Sequence, residues 1–253
     1  EDLTEKIFSL QKRKVIIFEN FHKLFLRTVE GFEALHSFCE LLSLVDEKLF
    51  LIISCNKFAW YYFDKVMNIS DYFTHCVELE QLSKEKVKDI IFLRNNISGY
   101  PLKFLPTKED LISRKFQKAN EKERQDILCQ NYFKKLNSIV KSNISLVQLF
   151  WLRSLELDEN NTLQIKSLEE IDFSFLQTLS EIKYFTLMTF LQHNNLSVEE
   201  HSKIFHLTID ESKLILLALQ DDGILINKGN QFEINFILYH HIIHLLQNKN
   251  IIH

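Results

Sequence analysis

The sequence predicts an α/β segment followed by a mostly helical remainder, and three observations carry that prediction. Two short apolar runs end in polar residues: Lys14–Phe18 leads into Glu19 and Asn20, and Leu49–Ile53 leads into Ser54, Cys55 and Asn56. From Ser83 onward apolar residues recur at helical spacing. Near the C-terminus two capping boxes precede a segment of alternating polar and apolar residues. The 253 residues hold only 4 glycines and 2 prolines but 22 phenylalanines, which favours long helices joined by short polar connections.

The elements follow in order. Val15–Phe18 reads as a strand, and a helix around Phe32–Leu44 carries an apolar stripe of Phe32, Leu35, Phe38, Cys39 and Leu42. Leu49–Ile53 is apolar throughout, the pattern of a strand covered on both faces. Phe58–Met67 is helical and Thr74–Leu79 a third short strand. Strands alternating with helices imply right-handed crossovers and a parallel sheet. Ser83 caps a helix carrying Val87, Ile90, Ile91 and Ile97, which stops at Gly99-Tyr100-Pro101. Thr107–Asp126 is charge-rich, an exposed helix in preference to a flexible segment. Ile144–Leu157 is apolar nearly all round and predicts a buried helix. Asp158–Asn161 marks a hydrophilic turn and a domain boundary.

A helix over Phe175–His193 comes next. Ser197 with Glu200, and Thr208 with Glu211, then form two capping boxes, each opening a helix; the second helix ends at Gly223. Ile224–Ile226, a loop at 227–230 and Gln231–Phe236 predict a β-hairpin, and Ile237–Leu246 a last helix. Helix–turn–helix followed by a hairpin is the order of a winged helix. The chain therefore divides into a partial α/β core at 1–80, a helical domain at 81–158 and a winged-helix domain at 159–253.

Net charge is -4 and the sequence pI is about 6.2, so no global field draws the chain to nucleic acid or to an anionic membrane. No apolar run reaches the roughly 18 residues that span a bilayer, and the charged N-terminus is not a signal peptide. Cys39, Cys55, Cys76 and Cys129 form no Cys-x-x-Cys pair. They read as buried free thiols in a reducing compartment, which makes the cytoplasm the expected location.

Val15-Ile16-Ile17-Phe18-Glu19-Asn20 resembles the Walker B pattern, four apolar residues followed by two acidic ones, with an amide in the second acidic place. Leu51-Ile52-Ile53-Ser54-Cys55-Asn56 resembles a sensor 1 strand, and Ser83–Tyr100 the first helix of a lid. In this order the parts resemble the C-terminal portion of an AAA+ P-loop ATPase of the kind that ends in a winged helix, such as the origin-recognition and initiator ATPases. The resemblance implies a partial P-loop parallel sheet, a helical lid and a winged helix. It places Glu19 where the acid that holds magnesium through water sits, Asn20 where the water-activating glutamate sits, and Asn56 at sensor 1 with Ser54 as the fallback. It implies ATP and Mg2+ as cofactors of the complete protein.

The departures from that family are chemical. An amide at position 20 accepts no proton, so general-base activation of water is lost. No G-x-x-x-x-G-K-[ST] occurs, and without its backbone N–H groups and lysine no strong phosphate site remains. No arginine stands in the stretch 142–147 where sensor 2 is expected; Arg153 follows further on. The expectation is a chain whose P-loop half lies elsewhere, which neither binds nucleotide tightly nor hydrolyses it unaided.

Plainer readings stand beside these. Glu19-Asn20 also fits a strand-end turn with no nucleotide role. A winged helix suggests DNA, with Lys213 and Lys228 as the phosphate contacts of a transcription regulator. From Ser180 onward, however, there are five lysines, no arginine and eight acidic residues. Affinity for DNA needs several cations against phosphates, so this module is expected to contact protein, in the same chain or another. His240 and His244 have the spacing of metal ligands but no nearby carboxylate or cysteine, and read as a packed or solvent-facing pair. Glu169-Glu170 and Glu199-Glu200 read as solvated helix faces. The partial sheet is expected to present an unpaired edge or apolar face, and hence self-association or a protein partner.

Overall fold

The structure, a computed structural model, describes residues 14–43, 49–80, 82–140, 143–168 and 172–252. Leu44, the Glu169-Glu170 pair and the charged N-terminus lie outside the described residues. The protein is mixed α/β and mostly helical, with small sheets. It forms two compact units: Glu1–Glu78 together with Ser174–His253, and Leu79–Phe173.

The first unit opens with strand β1 (Lys14–Phe18), helix α1 (Glu33–Ser43), strand β2 (Leu49–Ile53) and helix α2 (Lys57–Met67). β1 and β2 pair in parallel, from Lys14 opposite Leu49 to Phe18 opposite Ile53. Side chains alternate across a strand, so Phe18 and Ile53 turn inward onto a core of Phe21, Phe25, Leu35, Phe38, Ala59, Phe63 and Ile69. The core is aromatic. Phe18 meets Phe38 edge to face at 5.2 Å between ring centroids, and Phe25 meets Phe63 at 4.9 Å. Such pairs add about 0.5–1.5 kcal/mol each to their burial.

Among the described residues nothing covers the opposite face of this sheet. Val15 and Ile17 are 60% exposed, Phe50 64% and Ile52 44%. Val15 pairs with Phe50 and Ile17 with Ile52, so the four make one contiguous apolar surface. The unbroken apolar run of β2 predicts cover on both faces, and the described residues supply it on one. Thr74–Leu79 does not become a third strand: no described strand besides β1 and β2 belongs to this sheet, and a strand without a ladder has nothing to close its backbone hydrogen bonds. Val77 is 84% exposed there, and Cys76, expected to be buried, is exposed too.

The second unit runs through α3 (Lys84–Ser98), β3 (Leu102–Phe104), α4 (Lys108–Ile112), α5 (Arg114–Lys118), α6 (Glu121–Val140), α7 (Ile144–Ser154), β4 (Leu155–Leu157) and β5 (Leu163–Ile165). The hydroxyl of Ser83 caps α3 by accepting from the Lys86 N–H, and Gly99 ends it in the left-handed region at φ 75°. The charge-rich stretch makes α4, α5 and the start of α6, with a capping box between Thr107 and Asp110. The apolar helix expected over Ile144–Leu157 stops at Ser154, because Leu155–Leu157 pairs antiparallel with β5. Asp158 Oδ1 accepts from the N–H groups of Asn160 and Thr162 at 2.9 Å each, so 158–161 is a hairpin turn inside this unit. Residues 159–173 thus sit with the helical unit, and the chain re-enters the first unit at Ser174. Phe104, Tyr132, Phe133 and Trp151 meet in the core, with Phe133 stacked on Trp151 and Tyr132 edge-on to it.

The first unit is completed by α8 (Glu181–His193), β6 (Asn195–Leu196), α9 (Val198–Phe205), α10 (Ile209–Asp221), β7 (Leu225–Lys228), β8 (Gln231–Ile234) and α11 (Tyr239–Asn248). The long helix expected from Phe175 is interrupted. A single 3-10 turn covers Ser174–Thr178, and Ser180 is extended at φ -72°, ψ 160° before α8 begins. Both capping boxes form, Ser197 with Glu200 and Thr208 with Glu211. β7 and β8 join through Gly229-Asn230 with Gly229 at φ 72°, the left-handed conformation a two-residue hairpin needs. β6 pairs with β8, giving a sheet of order β6-β8-β7. Inside this module His201 is fully buried, its Nε2 3.0 Å from Thr186 Oγ1 and its Nδ1 3.1 Å from Ser212 Oγ.

Candidate functional site at the strand ends

In a parallel sheet the loops leaving the carboxyl ends of the strands lie side by side, which is where α/β folds bind ligands. Here those loops are Glu19–His22 after β1 and Ser54–Asn56 after β2. The backbone stitches them together: the Ser54 N–H donates to the Phe18 carbonyl, and the Phe21 N–H to the Ser54 carbonyl, at 2.9 Å each. The Asn20 N–H donates to Ser54 Oγ at 3.2 Å. Asn20 itself is left-handed, at φ 58° and ψ 45°. Asn is among the few side chains that tolerate that region, and it lets the chain turn sharply from β1 into the buried Phe21 and His22.

The sequence-predicted residues divide between two hollows. Glu19 lines one of about 470 Å³, with Phe18, Lys23, Ser37 and Phe38. Ser54 and Asn56 line a second of about 330 Å³, with His22, Lys57, Asn194 and Tyr239. Asn20 borders both. The structure thus brings Asn20, Ser54 and Asn56 together, with Glu19 on the far side of the turn.

Asn56 is fully engaged. Its Oδ1 accepts from the Phe58 N–H at 2.8 Å, capping α2. Its Nδ2 donates to the Leu191 carbonyl at 2.7 Å and to Asn194 Oδ1. Its backbone N–H donates to His22 Nδ1 at 3.3 Å, and Asn194 Nδ2 lies 2.9 Å from His22 Nε2. His22, Leu191 and Asn194 carry no motif, and sequence reading misses all three. The available signal is the paired Asn194-Asn195 after a strong helix, which marks a helix stop but not its partner 138 residues earlier.

The electrostatics of this seam keep its groups neutral. Burial, and then the charge of Lys23, lower the pKa of His22. His193, stacked on Phe25 at 4.6 Å, is held down to about 4 by burial first, then by His22 and Arg27. Burial pushes the Cys55 thiol up to about 12 despite two backbone N–H donors, so it is no nucleophile. Lys57, which lines the same hollow, is paired with Glu78.

Magnesium at nucleotide sites is held by one or two carboxylates and by the phosphates. The strand ends offer one carboxylate, Glu19, and no glycine-rich cradle. Among the described residues no group of three or more His, Cys, Asp or Glu is placed to hold a metal; the His244 ring instead pairs with Asn248 at 3.1 Å.

The DNA-contact candidates are dispersed. Lys213 is exposed on α10 beside Asp210 and Glu211, and Lys228 at the hairpin tip pairs with Glu233 at 2.6 Å. No helix among the described residues is long and apolar enough to cross a membrane.

No family profile and no curated protein matches the chain. Among solved structures, two mutants of RuvB from Thermotoga maritima are each 12% identical over 94% of this chain, and over 73% and 72% of theirs, with a TM-score of 0.28. A third RuvB mutant is 14% identical over 95% of this chain and 73% of its own, again with a TM-score of 0.28. Likeness at that level carries no argument about fold or function.

Proposed function

We propose that this chain is the C-terminal part of an AAA+-type, nucleotide-dependent regulatory or remodelling ATPase, inactive alone and acting as an interaction module. The observation that supports it best is the sheet. Two parallel strands carry an acid–amide turn and a Ser-Cys-Asn turn side by side at their carboxyl ends, while Val15, Ile17, Phe50 and Ile52 leave one face bare. A two-stranded sheet with an apolar face open is incomplete, and such a surface is a protein-binding surface. Polypeptide bearing the P-loop, from the same chain or another, is proposed to complete it and to supply the phosphate cradle. Helices α8–α10 with their hairpin are read as a winged helix that contacts protein in place of DNA, on the strength of its acidic balance. Asn20, whose amide accepts no proton, leaves activation of water to a group from elsewhere.

Calorimetry with ATP and ADP in the presence of magnesium, on this chain and on Glu19→Ala, tests the reading. The expected result is binding no tighter than millimolar on the isolated chain. Micromolar binding abolished by Glu19→Ala would show a nucleotide site already complete here and overturn the proposed division. A monodisperse monomer in sedimentation at tens of micromolar would count against the open sheet as a docking face.

A further inference from the structure

We propose that Asn56 is a latch: one side-chain amide that fastens the end of α8, and with it the C-terminal module, to the carboxyl ends of the parallel strands. A helix start leaves N–H groups over and a helix end leaves carbonyls over. Asn56 serves one of each. Its oxygen takes the Phe58 N–H at the start of α2, and its nitrogen reaches the Leu191 carbonyl in the last turn of α8. The amide dipole is oriented correctly at both contacts, with oxygen at a positive helix end and N–H at a negative one. Asn194, just past α8, extends the contact by accepting from the same nitrogen and facing His22.

The consequence is exclusive use. Both protons of Nδ2 are taken within the protein, so an acceptor entering the hollow bordered by Asn20, Ser54 and Asn56 obtains one only by displacing Leu191 or Asn194. Occupancy of the strand-end hollow and attachment of α8 therefore compete for one group. The latch draws on the reading above only for the identity of that acceptor; its own test involves no nucleotide.

The substitution Asn56→Asp separates the two roles. A carboxylate still accepts from the Phe58 N–H and caps α2 well. It cannot donate, and it sets negative charge against the Leu191 carbonyl. Hydrogen exchange read by mass spectrometry should show protection in the last turn of α8 and in β6 falling roughly tenfold, the scale of one lost charge-opposed hydrogen bond. Protection at the start of α2, and in α6 and α7, should hold. Asn194→Gly, which suits the positive φ of 66° there and leaves Asn56 intact, should give the same pattern more weakly and covers the case where Asn56→Asp fails to fold. Unchanged exchange at the end of α8 in either folded variant, or a loss spread evenly over α2 and α8, would overturn the latch.

Discussion

Two histidine clusters in the first unit are built from similar parts and differ in how well those parts match. In the C-terminal module, His201 sits between the hydroxyls of Thr186 and Ser212, all three fully buried. A hydroxyl donates or accepts as required, so either tautomer of His201 is satisfied. At the strand ends, His22 faces a backbone N–H from Asn56 on one ring nitrogen and the Asn194 amide nitrogen on the other. A neutral imidazole accepts at only one nitrogen. Turning the Asn194 amide to offer its oxygen would set its nitrogen against that of Asn56. The first cluster is a closed polar plug that specifies how three helices pack. The second is a mismatched network bordering an open hollow, and unmatched polar groups of that kind concentrate where a protein works in place of merely packing.

Acid gives the largest expected effect on this comparison. Burial lowers His193 and His201 to about 4 each, and lowers His22 as well. A folded-state pKa below the unfolded value of about 6.5 means the unfolded chain binds protons first. Stability is then full above pH 6.5 and is lost as pH falls toward 4. At pH 4.5 His193 and His201 together should cost about 5 kcal/mol, a large share of a domain's stability. Trp60 in α2 reports on the first unit once Trp151→Phe has silenced the second. Urea unfolding followed through Trp60 should show the midpoint dropping steeply below pH 6; a midpoint that holds from pH 7.5 to 4.5 would dispose of the buried neutral rings.

The next effect separates the two clusters directly. His201→Ala empties a fully buried site and leaves two hydroxyls facing a cavity, a loss of about 3 kcal/mol. His22→Ala removes a ring whose hydrogen bonds were never all satisfied, and should cost about half as much. Both are read from the same Trp60 unfolding curves at pH 7.5. Equal losses would mean that the strand-end network is as well matched as the plug.

The parts of this architecture that were legible in the sequence are those encoded locally. The capping boxes at Ser197 and Thr208, the left-handed Gly223, and the apolar runs of β1 and β2 are all read within a few residues of themselves. Partners distant in the chain left no such mark. Thr74–Leu79 has strand composition but no ladder to join, and Leu155–Leu157 leaves its helix only because β5 lies beside it. The candidate site was half legible for the same reason. Glu19, Asn20, Ser54 and Asn56 stand at strand ends that the sequence places, whereas Leu191 and Asn194 arrive from a segment that rejoins the unit at Ser174.

The smallest expected effect bears on what the amide at position 20 is for. As a failed catalytic acid, Asn20 would matter through its side chain. The geometry gives it a backbone role: φ is 58°, and its side chain makes no capping hydrogen bond to the turn that follows. Glycine enters the left-handed region freely, whereas alanine pays about 1 kcal/mol there. Asn20→Gly should therefore change stability by less than about 0.5 kcal/mol, and Asn20→Ala should cost about 1 kcal/mol. If the two substitutions cost the same, the side chain is held by the strand-end network and belongs with His22 and Asn56. If glycine is neutral, the amide at position 20 is accounted for by the turn alone, and the mismatch at the strand ends is confined to His22, Asn56 and Asn194.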